Sequence, residues 1–147
     1  MVDREVISRK LSRRKTYLGE LRRARDITWQ RYETDVRSRA FVERYVHLAI
    51  ESGIDIANHF VSFYGRREPA GCRDLFAVLA ERGVIPAEEL ETFQRMASVR
   101  NLLVHPYERI DDEVVYGIFA NRLDDFDRFA EPVEAWTTNR NPPPGER

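Results

Sequence analysis

The longest apolar stripe in this 147-residue chain recurs at helical spacing and constrains the fold more than any other feature. Phe41, Tyr45, Leu48, Ala49, Ser52, Ile56, Phe60 and Phe63 share one face of a helix expected from an N-cap at Thr34 to about Tyr64, with Gly65 as its stop. A face that long must be covered along its whole run, so it is expected to be the spine of the core. Strand-type alternation is absent, and most glycines and prolines fall between periodic segments. A first helix is expected from Asp3 to Gln30, with Ile7, Leu11, Leu18 and Leu21 as a narrow stripe and arginines over the rest. A loop follows from Gly65 to Gly71, then a short helix from Asp74 to Arg82 with Leu75, Phe76 and Leu79 inward and Gly83 ending it. Pro86, Glu88 and Glu89 suit the first turn of a fourth helix carrying Leu90, Phe93, Met96, Ala97, Leu102 and Leu103 and ending near His105-Pro106. Asp111 or Asp112 caps a fifth, with Val115, Ile118, Phe119, Leu123, Phe126, Phe129 and Val133 inside. The expectation is an all-α antiparallel bundle of about five helices. Residues 1–136 form one domain, and 137–147, with Pro142-Pro143-Pro144-Gly145, form a disordered tail.

Net charge is close to zero, so the total alone does not announce a polyanionic partner. Its distribution is uneven. Arg9, Lys10, Arg13, Arg14, Lys15, Arg22, Arg23, Arg25 and Arg31 meet only Glu20 and Asp26 over the same stretch, whereas the segment from Asp111 to Glu134 is rich in Asp and Glu. This reads as a basic and an acidic face, or as two solvated helix surfaces. Cys72 is the only cysteine, which excludes a disulfide framework and a thiolate metal cluster and suits a small core filler. No leader-like segment and no apolar run long enough for a bilayer is visible, so the expected setting is the cytoplasm, without membrane association.

The chemistry concentrates in Arg100-Asn101-Leu102-Leu103-Val104-His105-Pro106-Tyr107. Arginine is a permanent cation whose planar fork fits phosphate oxygens, and histidine changes charge near neutral pH. Residues five apart lie on different faces of a helix, so Arg100 and His105 converge only where the helix ends or distorts, and Pro106 disfavours helical geometry at His105. Such a pair suits metal-free RNA cleavage. The ribose 2′-hydroxyl attacks its own phosphate, His105 moves a proton, Arg100 stabilises the phosphoryl charge, and Asn101 orients the phosphate or the histidine. One histidine per motif is few for both acid and base, and a homodimer placing two motifs in one cleft supplies both. The spacing alone equally suits a histidine interacting with a helix C-terminus.

The stretch from Met96 to Asp111, with Arg-Asn, three residues, His, one residue, Tyr, and then Ile110-Asp111, resembles the signature of the HepT-like proteins of the HEPN superfamily. Arg39 to Arg44, Leu48 to His59 and Leu75 to Ile85 are similar to that family's second and third helices, and the resemblance covers about Val6 to Val133. It implies a homodimeric, all-helical ribonuclease toxin of a type VII-like toxin–antitoxin pair, needing no cofactor or metal. Arg100 and His105 would be the catalytic pair at the dimer cleft. Tyr107 would be the tyrosine adenylylated by a minimal nucleotidyltransferase antitoxin, putting bulk and negative charge where the RNA phosphate must sit. Pro106 fills the variable position between His and Tyr and stiffens the approach to Tyr107. The alternative is a HEPN module that binds RNA, nucleotide or a nucleotidyltransferase without cutting.

The remaining candidates carry less. His47 and His59 are twelve apart, a spacing that suggests no metal pair, and His59 reads as a hydrogen-bonded core or interface residue. Glu51 and Asp55, one turn apart, are solvated carboxylates or partners for Arg100 across the bundle, where a carboxylate would fix the guanidinium fork. Trp29 and Trp136 read as packing or edge residues. The basic first helix can serve RNA backbone or an acidic patch on the antitoxin.

Overall fold

A computed structural model describes residues 4–104 and 111–140. Among these the chain forms seven α-helices: α1 Arg4–Arg23, α2 Trp29–Thr34, α3 Val36–Tyr64, α4 Cys72–Glu81, α5 Leu90–Val104, α6 Asp112–Asn121 and α7 Leu123–Arg140. A short 3₁₀ turn, Ala87–Glu89, leads into α5. The fold is all-α, as the periodicity demands, but two expected helices are each broken in two.

The first break follows α1. Thr28 adopts extended backbone and its hydroxyl accepts from the Arg31 amide at 3.1 Å, so a new helix starts there. One residue, Asp35, then closes α2 and opens α3. Its amide donates to the Arg31 carbonyl, while its carboxylate accepts from the Arg37 amide and from the Ser38 hydroxyl at 2.6 Å. Asp35, not Thr34, is therefore the cap of the long helix, because the Thr34 hydroxyl donates backward to the Gln30 carbonyl. The second break is at Arg122, between α6 and α7. Asp111 caps α6 by accepting from the Val114 amide. Further on, α7 runs past the expected boundary at Thr137 to Arg140, with Thr137 buried and its hydroxyl donating to the Val133 carbonyl at 2.9 Å. Residues 141–147 lie outside the described ones.

The core is built around α3, against which every other helix packs. Because neighbours surround it, α3 buries more than one stripe: Val42, Val46, Ala49, Ile50, Ile54, Ile56, Ala57, Phe60 and Tyr64 are all inside. The face expected to be buried is rotated relative to the observed one. Phe41 and Tyr45 are partly buried, and Phe63 is 47 % exposed. Phe129 of α7 meets Phe76 of α4 and Phe93 of α5 edge to face, with Phe76 and Phe93 tilted against each other, while Trp29, Tyr32, Tyr116 and Phe119 join α2 to α6. Trp136 is buried against Tyr64. Helix α4 ends in a Schellman-type reversal, with Val84 N–H donating to the Leu79 carbonyl and Gly83 at φ +81°, a region where glycine has no side-chain penalty.

Two charge placements differ from the sequence expectation. Arg14 does not lie on the solvated part of α1 but inside its apolar stripe, 4 % exposed. Its guanidinium donates to the Phe126 carbonyl at 2.9 Å and lies over the rings of Phe126 and Phe129. Gly53 of α3 lies beside it, where a Cβ would meet Arg14 Nη2 at 3.6 Å, an ordinary packing distance. Burial lowers the Arg14 pKa to about 10, opposed in part by nearby Asp127. The basic and acidic helices also meet each other, because Arg22 of α1 pairs with Asp124 and Asp127 of α7.

Candidate functional site: an arginine at a cleft between α1, α3 and α5

Arg100 lies just before the last turn of α5, where an apolar helix brings a long cation to its surface while its neighbours hold the backbone. Val99, just before it, is buried, and Ala97 is in the core. The Arg100 side chain is 36 % exposed, and its Nε donates to the Glu51 carboxylate of α3. Its two Nη groups make no hydrogen bond among the described residues. The hydrogen bond to Glu51 raises the Arg100 pKa further above its ordinary value, so the group is a fixed cation at any physiological pH. Glu51 is shared: His47 Nε2, one turn back on α3, lies 3.4 Å from the same carboxylate oxygen. The result is a chain of three side chains, His47, Glu51 and Arg100, with one edge of the guanidinium anchored and the other two nitrogens facing an open cleft.

The cleft, about 460 Å³, is lined by Lys10, Arg13 and Tyr17 from α1, by Ser52, Asp55 and Asn58 from α3, and by Arg100, with Cys72 at the start of α4 beside them. Of the two carboxylates weighed as partners for Arg100, Glu51 takes that role, whereas Asp55 turns the other way and pairs with Lys10. Asn101, the next residue of α5, is exposed. Arg95 stands apart, in an exposed pair with Glu91. His105 and Tyr107, and Pro106 between them, lie outside the described residues. His59 stacks edge-on against Phe63. It cannot share a metal ion with His47, since twelve residues along α3 correspond to about 18 Å. Cys72 is half-buried, packing against the edge of the core and lining the cleft. Reading the residues singly left His47, Lys10, Arg13 and Tyr17 out of the site. The available signal was the four-residue spacing of His47, Glu51 and Asp55, which puts them on one edge of α3.

Residues 14–133 match the family described as ribonuclease HepT-like. The chain belongs to the HepT-like family. Among curated relatives, this HepT-like chain is 31 % identical to an mRNA nuclease HepT of Shewanella oneidensis over 85 residues, 58 % of this chain and 64 % of the relative. The match thus spans a little under two thirds of that protein's length. It is 22 % identical over 120 residues to a tRNA nuclease HepT of Aphanizomenon flos-aquae, 82 % of each chain. Among solved structures, the tri-AMPylated Shewanella oneidensis HEPN toxin in complex with MNT antitoxin superimposes with a TM-score of 0.79 at 24 % identity, over 88 % of this chain and 97 % of that one. A cytosolic protein of unknown function from Bacillus subtilis, YutE, superimposes with a TM-score of 0.79 at 21 % identity, over 96 % of this chain and 95 % of that one. At these identities the superpositions establish the fold, and the HepT-like chain shares it.

Proposed function

We propose that this HepT-like chain is the ribonuclease toxin of a toxin–antitoxin pair, cutting RNA without a metal by Arg100 and His105 and silenced by adenylylation of Tyr107. One observation carries the reading: the family match spans residues 14–133 and contains Arg100, Asn101, His105 and Tyr107 in their full pattern. The cleft geometry supports it, because Glu51 anchors Arg100 through Nε and leaves the two Nη groups as donors to a phosphate, the shape that two non-bridging oxygens require. In the reaction the 2′-oxygen attacks the adjacent phosphorus as its proton is taken, and the P–O5′ bond breaks as the leaving oxygen gains a proton. His105 makes one of these transfers. Arg100 stabilises the charge gathering on the phosphoryl oxygens, and Asn101 orients the phosphate or the histidine. A homodimer facing two such sites into one cleft supplies the second histidine.

Silencing follows the same electrostatics. The Tyr107 hydroxyl attacks the α-phosphorus of ATP in the active site of a nucleotidyltransferase antitoxin, pyrophosphate leaves, and an adenylate remains two residues from His105. Its charge repels the RNA phosphate. The relative whose fold this chain shares is itself tri-AMPylated and bound to an MNT antitoxin. We take residues 1–136 as one functional domain, to which α7 adds residues up to Arg140, and place its action in the cytoplasm. No helix among the described residues is long and apolar enough to cross a membrane.

The test is cleavage of RNA by purified protein in excess chelator. Arg100→Ala and His105→Ala are expected to lose cleavage and cell toxicity with unchanged circular dichroism. Tyr107→Phe should cut normally yet gain no mass when incubated with the antitoxin, ATP and magnesium. Wild-type cleavage by His105→Ala, or AMP addition to Tyr107→Phe, overturns the respective half of the reading.

A further inference from the structure

The cleft has a second bank whose charge the reaction at Arg100 does not use. Lys10, Arg13 and Tyr17 are spaced three and four apart on α1, so one face of that helix presents all three to the cleft. Further along α1 the cations are committed internally: Arg22 pairs with Asp124 and Asp127, and Arg23 with Glu20. Arg13 forms no ion pair among the described residues, and Lys10 is held by Asp55, itself 59 % exposed. Tyr17 meets Tyr45 edge to face, and Tyr45 in turn stacks on Phe41 at 4.7 Å, so a partly buried aromatic strip continues from the cleft along α1 and α3. A cation unpaired among the described residues, beside a strip of rings and continuous with an arginine anchored through Nε alone among them, has the chemistry of a single-strand track. Cations hold successive phosphates, and ring faces take bases without regard to sequence.

We propose that Arg13 and Lys10 form a second phosphate subsite, which holds the single-stranded RNA backbone next to the phosphate cut at Arg100, with Asp55 as the carboxylate the strand must displace. The proposal rests on the nuclease reading for its choice of ligand. The second phosphate belongs to the same strand, so α1 sets where the RNA lies while Arg100 and His105 set what happens to it.

The test uses the full chain and a short single-stranded 2′-O-methyl oligoribonucleotide, which lacks the attacking hydroxyl and therefore reports binding alone, followed by fluorescence anisotropy across a salt series. Arg13→Glu is expected to weaken binding about tenfold and to lower the slope of log affinity against log salt by about one. Asp55→Asn, on an exposed side chain, is expected to tighten binding about threefold, because it frees Lys10 and removes a negative charge from the cleft. Lys15→Glu makes the same charge change on the groove between α1 and α7 and should shift affinity much less. Opposite signs for Arg13→Glu and Asp55→Asn cannot come from misfolding, which weakens both. Equal losses for Arg13→Glu and Lys15→Glu overturn the proposal, as does wild-type affinity in Arg13→Glu. An Arg13→Glu protein that keeps its RNA affinity but no longer binds an acidic antitoxin surface overturns it too and reassigns this bank to protein contact. Cleavage of the unmodified oligonucleotide by the wild-type chain is read separately. A protein that binds through Arg13 but never cuts fails the nuclease reading and leaves the subsite standing.

Discussion

Arg100 divides its guanidinium between two tasks, and the division makes a prediction. The Nε edge is anchored by Glu51, and the Nη groups remain for a phosphate. Lysine keeps the charge but lacks the planar fork that reaches Glu51 on one edge and a phosphate on the other, so Arg100→Lys is expected to lower kcat on the order of 10²-fold. Glu51→Ala releases the fork and should cost about 10²-fold in kcat with KM little changed, while Glu51→Gln, which still accepts from Nε, should retain most activity. Steady-state cleavage of an oligonucleotide substrate separates the two parameters, and a wild-type kcat in Glu51→Ala would remove Glu51 from the site. Arg14 makes the contrasting case, an arginine kept for its bulk. It sits on Phe126 and Phe129 with one carbonyl partner and a pKa lowered to about 10 by burial. Arg14→Met keeps the stem and sheds the buried charge, so its stability should fall within about 1 kcal/mol of wild type, whereas Arg14→Ala should lose about 2–4 kcal/mol through the space it leaves. Urea unfolding of the two variants checks this, and equal losses would show that the charge itself is what stabilises.

The elements are joined by short polar devices rather than by long loops. Asp35 ends one helix and begins the next, and Arg67 ties the loop after α3 to both ends of α4. Its guanidinium reaches both oxygens of Asp74, at 2.6 and 2.8 Å, and Glu81 at 2.7 Å. The hydrogen bonds from Arg67, and then that from the Ala70 amide, lower the Asp74 pKa from 3.8 to about 2. The folded value lies below the unfolded one, so this stabilisation is complete above about pH 4 and is lost as pH falls through 2. Asp74→Asn is therefore expected to melt below wild type at pH 7, with the gap closing on acidification toward pH 2. Thermal unfolding at pH 7, 4 and 2 tests this, and a gap that persists at pH 2 would mean that packing, not the ion pair, is what the substitution disturbs. The cap at Asp111 was legible, as one of two adjacent candidates, because an acidic side chain before an apolar run is a local signal. The cap position of α3 was missed by one residue at Thr34, because Thr34 and Asp35 are both good caps and only the backbone decides between them.

At the scale of the whole molecule, the proposed chemistry needs two histidines and each motif holds one. The active species is accordingly expected to be a homodimer. Light scattering across a dilution series should show cleavage falling as the dimer dissociates, and full activity in a monomeric fraction would exclude a shared cleft. The all-helical class, the approximate spans of the long helical segments and the Arg100-to-Tyr107 motif were determined by the sequence alone, since periodicity, caps and motif spacing are local along the chain, whereas the breaks before α2 and after α6 were not foreseen. What each helix meets was not local. Glu51 and Asp55 are equivalent in sequence, two acids one turn apart, yet packing sends one to Arg100 of α5 and the other to Lys10 of α1. The same holds for Arg14, one of a run of similar cations, which enters the core because the rings of Phe126 and Phe129 and the Phe126 carbonyl on α7 receive it there. It holds for Phe63, placed on the apolar side by periodicity and left 47 % exposed. A helix's own sequence specifies which faces can be buried. Which of them is buried, and which charges become neighbours, depends on the rotation and crossing of helices far apart in the chain, and only the docked bundle decides it.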